Sequence, residues 1–197
     1  GKQLNHKELK IEENKEYTEI MGDLRDLLCT RVEKIETELH KENILINENV
    51  SKRIEEQKAK ADNATLQKDY YSAASYCFTA SIALRSHYYN QKKPTLSQLW
   101  DRFLKLEDKV QSLEQNLSTQ KIETITDLQT SIIVKDRLND VKEQIARFKE
   151  VPRDTEKKEE AYSILSYSEE RYFSAVAWTK FFNMNGKILQ IDQEHIR

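Results

Sequence analysis

The stretch LSQLWDRFLKLEDKVQSLEQNL, residues 96–117, carries Leu96, Leu99, Phe103, Leu106, Val110, Leu113 and Leu117 at steps of three and four without a miss. Side chains so spaced share one face of an α-helix, and this run has the form of a coiled-coil-like seam. At 1.5 Å per residue it amounts to a rod of roughly 30 Å. Pro94 is placed in its first turn, where the missing N–H has no partner to lose. The polar stretch from Ser118 to Glu123 interrupts the seam, and Thr124 with Asp127 has the form of a capping box, Asp standing for Glu. A second long helix is predicted from there, with Leu128, Ile132, Leu138, Val141, Ile145 and Phe148 as its apolar stripe. It ends near Glu150, where Val151, Pro152 and Asp154 follow. The two long helices are expected to pack antiparallel.

Upstream, Tyr17, Met21, Leu24, Leu28, Val32, Ile35 and Leu39 define a first helix over about 15–42. Asn43, Asn47 and Asn49 then favour a turn, because their side chains bond to the nearby backbone. Val50, Ile54, Gln57, Ala61 and Ala64 give a second helix ending near Gln67, its small residues allowing close approach to a neighbour. Lys68 and Asp69 form a polar elbow before YYSAASYCFTASIALRSHYY, residues 70–89, where apolar and small residues occupy every face. A helix of that kind belongs at the centre of a bundle. The last third, from about 155 to 185, reads as the same helix, elbow, helix theme, with its elbow near Glu170 and Gly186 as a left-handed C-terminal cap. Tyr70, Tyr71, Ser72, Ala73 are echoed by Tyr172, Phe173, Ser174, Ala175. Two copies are too few for a repeat array.

These patterns give an all-α fold, an antiparallel bundle of about six helices with two long coiled-coil-like helices and TPR-like helical hairpins. The domain reading is a polar lead-in over 1–14, a bundle over 15–185, and a cap and short tail over 186–197. Beginning at Gly1 with no apolar leader, the chain reads as a piece of a longer protein.

With 34% charged residues but only three Gly and two Pro in 197 residues, the composition favours long helices over loop-built sites. Gly1, Gly22 and Gly186 lie too far apart to cradle a phosphate. A formal charge of −2 supplies no global field toward nucleic acid or an anionic membrane. The longest charge-free run, Tyr70 to Leu84, is shorter than the ~20 residues of a membrane span. Cys29 and Cys77 fit no zinc or CxxC spacing and read as buried core thiols. Redox compartment stays open.

The sequence carries no motif of a specific chemistry. The residues three before the histidines are Gln3, Thr37, Leu84 and Asp192, so only Asp192 before His195 approaches a di-iron pattern. A helical ribonuclease with Arg five positions before His is excluded, since Gly1, Ile35, Ile82 and Gln190 stand there. No catalytic, metal-binding or cofactor-binding residue emerges, and no cofactor. The sign-alternating charges read as solvated helix surface. A carboxylate pair using Asp69 or Glu170 is the weakest reading, because elbow carboxylates usually cap helices. Trp100 and Trp178 read as core plugs. The aromatic elbows remain, and Tyr70, Tyr71, Tyr172 and Phe173 are the candidate interaction residues, for a groove taking a peptide or a partner helix.

The segments YTEIMGDL, ADNATLQKDYYSAASYCFTASIALR and ITDLQTSIIVKDRLNDVKEQIARF, in that order between Tyr17 and Gly186, resemble the C-terminal helical region of archaeal Lon-like serine proteases that lack the ATPase module. In that family a preceding α/β domain carries the chemistry, a Ser nucleophile activated by a Lys. The resemblance therefore implies a non-catalytic accessory bundle whose partner is the protease domain of the same parent chain, or a substrate or partner helix. It also implies a parent held at a membrane through segments outside this region. No catalytic residue carries over, since Ser72 and Ser174 sit inside predicted helices without adjacent glycines. The rival reading is a free-standing adaptor or scaffold that pairs, or self-associates, through the Leu96–Leu117 seam, and neither reading involves nucleic acid.

Overall fold

In the computed structural model, which describes residues 15–153 and 158–184, these stripes become six helices packed as a bundle, with no strand among the described residues. They are α1 Lys15–Lys41, α2 Glu48–Leu66, α3 Tyr70–Lys92, α4 Leu96–Thr119, α5 Ile125–Glu150 and α6 Lys158–Trp178. A single 3₁₀ turn, Thr179–Phe181, follows α6. The lead-in over 1–14, Asp154 and Thr155, Gly186 and the tail with Asp192 and His195 lie outside the described residues.

Local chemistry sets the helix starts. Asn47 caps α2 by accepting from the Val50 N–H at 2.9 Å, and Asp69 caps α3 by accepting from the Ser72 N–H at 3.1 Å. Lys68, between α2 and α3, has φ +59°, so the expected elbow is a left-handed reversal closed by its cap. Both long helices open on reciprocal capping boxes, Thr95 with Gln98 and Thr124 with Asp127. Pro94 lies one residue before the Thr95 cap and not in the first turn as the sequence suggested; it is buried there, and its carbonyl accepts from the Tyr162 hydroxyl. Asp127 does more than cap, since its other oxygen accepts from the Asn183 N–H at 2.9 Å. Thr124→Ala leaves the Asp127 N–H without its oxygen and is expected to cost about 1 kcal/mol. Urea titration measures it, and an unchanged midpoint would show the cap to be idle.

Two helices carry the core. α3 packs on α1, α2 and α6, as its all-round apolar surface required, and α6 packs on α1, α3, α4 and α5. Ala61 and Ala64 of α2 and Ala73, Ala74 and Ala80 of α3 are all buried, so small side chains line these helices where they meet. The α1 stripe is buried from Met21 to Leu39. In α4, Leu99, Phe103, Leu106, Val110 and Leu117 are buried. The seam is therefore occupied from within the chain. Phe103 stacks on Phe148 with ring centres 4.5 Å apart, and Lys149–Glu107 and Lys142–Glu114 pair at 2.9 and 3.0 Å. Ascending numbers on α4 meet descending numbers on α5, the expected antiparallel register.

Further expectations are corrected. Leu128 and Ile132 are exposed, at 39% and 43%. The buried face of α5 instead takes Thr126, Thr130 and Ser131 beside Ile133, Val134, Leu138, Val141, Ile145 and Phe148. A hydroxyl can be buried when it bonds within its own helix, as Thr130 does to the Thr126 carbonyl at 2.7 Å. The second elbow is absent, because α6 runs unbroken through Glu169, Glu170 and Arg171. Glu and Arg are good helix formers, and these charges are satisfied by other helices. Finally, Cys29 of α1 and Cys77 of α3 are not thiols but a disulfide across 48 residues of sequence. The pairing was invisible in the spacing because it depends on α1 and α3 lying side by side. Trp178 is a core plug as expected, while Trp100 is half-buried with the Arg153 guanidinium 4.9 Å from its ring centre.

Candidate interaction groove

α3 and α6 run antiparallel, with Tyr71 against Trp178 and Phe78 against Tyr167. α5 also lies antiparallel to α6, where Asp140 meets Tyr167 and Arg171. Among the described residues the backbones of α3 and α5 each pack on α6 and stay apart from one another, meeting through side chains such as Arg137 and Tyr71. A groove results, floored by α6 and walled by α3 and α5.

A cluster from all three helices bridges the groove. The Arg171 guanidinium lies 4.6 Å from the Phe78 ring centre, and its Nε donates to Asp140 at 3.1 Å and to the Tyr167 oxygen at 3.2 Å. Tyr167 itself donates to Asp140, and burial raises its pKa, with that hydrogen bond second. On one side of the bridge is a cavity of about 270 Å³ lined by Ile82, Gln144, Arg147, Glu160, Ser163, Ile164 and Tyr167. A second cavity, of about 230 Å³, lies between α5 and α6 and is bounded by Asp136, Arg137, Asn139, Asp140, Glu143 and Arg171. Arg137 lies 4.7 Å from the Trp178 ring centre. Burial holds its pKa down to about 10, helped by the like charge of Arg171. The cavity lined by all three helices sets the apolar Ile82 and Ile164 beside polar and charged edges from Gln144, Arg147 and Glu160.

The four candidate aromatics do not form one patch. Tyr71 is half exposed, at 50%, at the Trp178 end of the groove. Tyr70 packs partly on the core. Phe173 lies on the α1 side of α6, under the Arg31 guanidinium at 4.7 Å. Tyr172 is partly buried, and that burial raises its pKa. Phe78, Ile82, Arg137, Tyr167 and Arg171 lie at the bridge or line the flanking cavities. The signal for them was the i, i+4 pairing of Phe78 with Ile82 and of Tyr167 with Arg171.

Behind the groove, α6 turns two carboxylates inward. Glu170, 1% exposed, takes two bonds from Arg31, Nε to Oε1 at 2.8 Å and Nη2 to Oε2 at 2.9 Å. Arg85 of α3 approaches it to 3.8 Å and donates to Glu38 at 3.1 Å. Glu169 accepts from Arg102 at 2.9 Å and from the Tyr89 hydroxyl. These are tertiary links, and Glu170 is neither an elbow residue nor half of a carboxylate pair. No cluster of three or more metal-ligand side chains exists among the described residues. No described helix is long and apolar enough to cross a membrane.

Tyr89 gives the bundle an alkaline limit. Burial, then the neighbouring charge of Glu169, pushes its hydroxyl far above the ordinary value near 10. The folded state therefore holds a proton that the unfolded chain releases above about pH 10, and stability must fall there by about 1.4 kcal/mol per pH unit. Below that pH the contribution is fully present. Urea midpoints between about pH 9 and about pH 11 should fall less steeply in Tyr89→Phe. Identical slopes in the two proteins would contradict this.

No family model, curated protein or solved structure matches the chain.

Proposed function

We propose that this chain is a non-catalytic protein-interaction bundle whose groove between α3 and α5 receives a segment of another polypeptide. The supporting observation is the groove itself, with its bridging Phe78, Tyr167, Arg171 and Asp140 and a cavity lined by all three helices. The α2–α3 hairpin is read as TPR-like and the α4–α5 pair as coiled-coil-like, both within an antiparallel bundle. Together with the resemblance to the C-terminal region of archaeal Lon-like serine proteases, this makes the bundle an accessory that holds substrate for a Ser/Lys peptidase in the parent chain. Pairing through the α4 seam is the weaker reading, because α5 and the core already cover that seam.

Incubation of the purified chain with casein and with a serine-directed fluorophosphonate tests the non-catalytic part. Intact casein and no labelling are expected, and cleavage or labelling would overturn the reading. The binding part is tested by titrating fluorescent unfolded casein with wild type, Ile82→Glu and Ser163→Arg. Saturable binding weakened at least about tenfold, or ~1.4 kcal/mol, in both variants is expected.

A further inference from the structure

Three segments have the form Asn-x-Ser/Thr with x other than Pro: Asn49-Val50-Ser51, Asn63-Ala64-Thr65 and Asn116-Leu117-Ser118. This is the acceptor pattern for N-linked glycans. All three asparagines are exposed, and no other described residue engages their side-chain amides.

Their positions follow a rule that the pattern does not impose. Asn49 is the second residue of α2, and Asn63 and Asn116 fall in the last four residues of α2 and α4. Terminal turns have backbone groups without intrahelical partners and open at the least free-energy cost. A transferase needs its acceptor extended, and these are the helical positions where an acceptor can extend. None lines the groove cavity, whose walls come from α3, α5 and α6, and Asn116 is at the far end of α4. The Cys29–Cys77 disulfide is an independent sign of the same environment, since disulfides persist on the oxidising side of a membrane, where such transfer also occurs.

We propose that Asn49, Asn63 and Asn116 are N-glycosylation sites and that the bundle folds in an oxidising compartment. The donor is a polyprenyl-phosphate-linked sugar. Asn Nδ2 attacks the anomeric carbon, the bond from that carbon to the phosphate oxygen breaks, and the lipid phosphate leaves with the electron pair. The amide nitrogen gives up one proton to the transferase base, and nothing is oxidised or reduced.

Mass spectrometry of the protein purified from its own cells tests this. A mass above that of the polypeptide is expected, with the excess on peptides holding these asparagines. Asn63→Gln and Thr65→Ala should each strip the glycan from the shared peptide, while Thr65→Ser should keep it. A native protein at the bare polypeptide mass, with unmodified acceptor peptides, would overturn the proposal. That wild-type reading decides even if a variant fails to accumulate.

Discussion

Glu170→Ala is expected to lower the stability of the bundle by about 3–5 kcal/mol. The carboxylate sits between two guanidinium groups, doubly bonded to Arg31 and 3.8 Å from Arg85. The Arg31 side chain keeps 23% of its surface in water and can turn outward, but that of Arg85 keeps 4%. Removing the anion therefore leaves Arg85 as a buried cation whose nearest remaining carboxylate, Glu38, is half exposed. The Nε and Nη1 of Arg85 already lack hydrogen-bond partners, so further desolvation is not offset locally. Domains are typically stable by only about 5–15 kcal/mol, and a loss of this size approaches unfolding. Arg85→Met with Glu170→Leu should recover most of it, because a buried ion pair exchanged for packed apolar side chains is often neutral. Urea midpoints at constant slope read both effects. A Glu170→Ala loss under about 1 kcal/mol would show the pair to be energetically idle.

The disulfide is expected to matter almost as much. Joining residues 48 apart removes loop-closure freedom from the unfolded chain worth roughly 4 kcal/mol. Cys29→Ala with Cys77→Ala tests it without placing a hydroxyl in the core, where Cys77 is 4% exposed. Reductant should bring the wild-type midpoint to that of the variant, and a midpoint insensitive to both would contradict the cross-link. The two effects are not independent, since Cys29 and Arg31 are two residues apart on α1. Without the bond, the Arg31–Glu170 and Glu38–Arg85 pairs carry more of the α1 attachment, so the combined variant should lose more than the sum.

The helical architecture was legible because apolar periodicity is local. The α1 and α4 stripes, the elbow at Lys68, the capping box at Thr124 and the central place of α3 all follow from residues within a few turns of each other. What escaped depends on distant pairing. Glu170 reads as an elbow residue in sequence, and it is Arg31, 139 residues away, that makes its burial affordable. Thr126, Thr130 and Ser131 read as polar face, yet Thr130 satisfies its hydroxyl within the helix and lets α5 turn Leu128 and Ile132 outward. Tyr71, which the sequence offers because aromatics beside an elbow stand out, lies at the Trp178 end of the proposed groove. Arg171 and Asp140 do not stand out, because their meaning comes from Phe78 across the groove.

The most direct test of the groove is the anisotropy of labelled unfolded casein titrated with three single variants: Ile82→Glu and Ser163→Arg in the groove, and Leu104→Glu on α4, where the side chain is already 49% exposed. The account requires saturable binding that the two groove variants weaken at least about tenfold and that Leu104→Glu leaves unchanged. No binding by the wild type, or equal losses in all three, would contradict the groove as the binding surface.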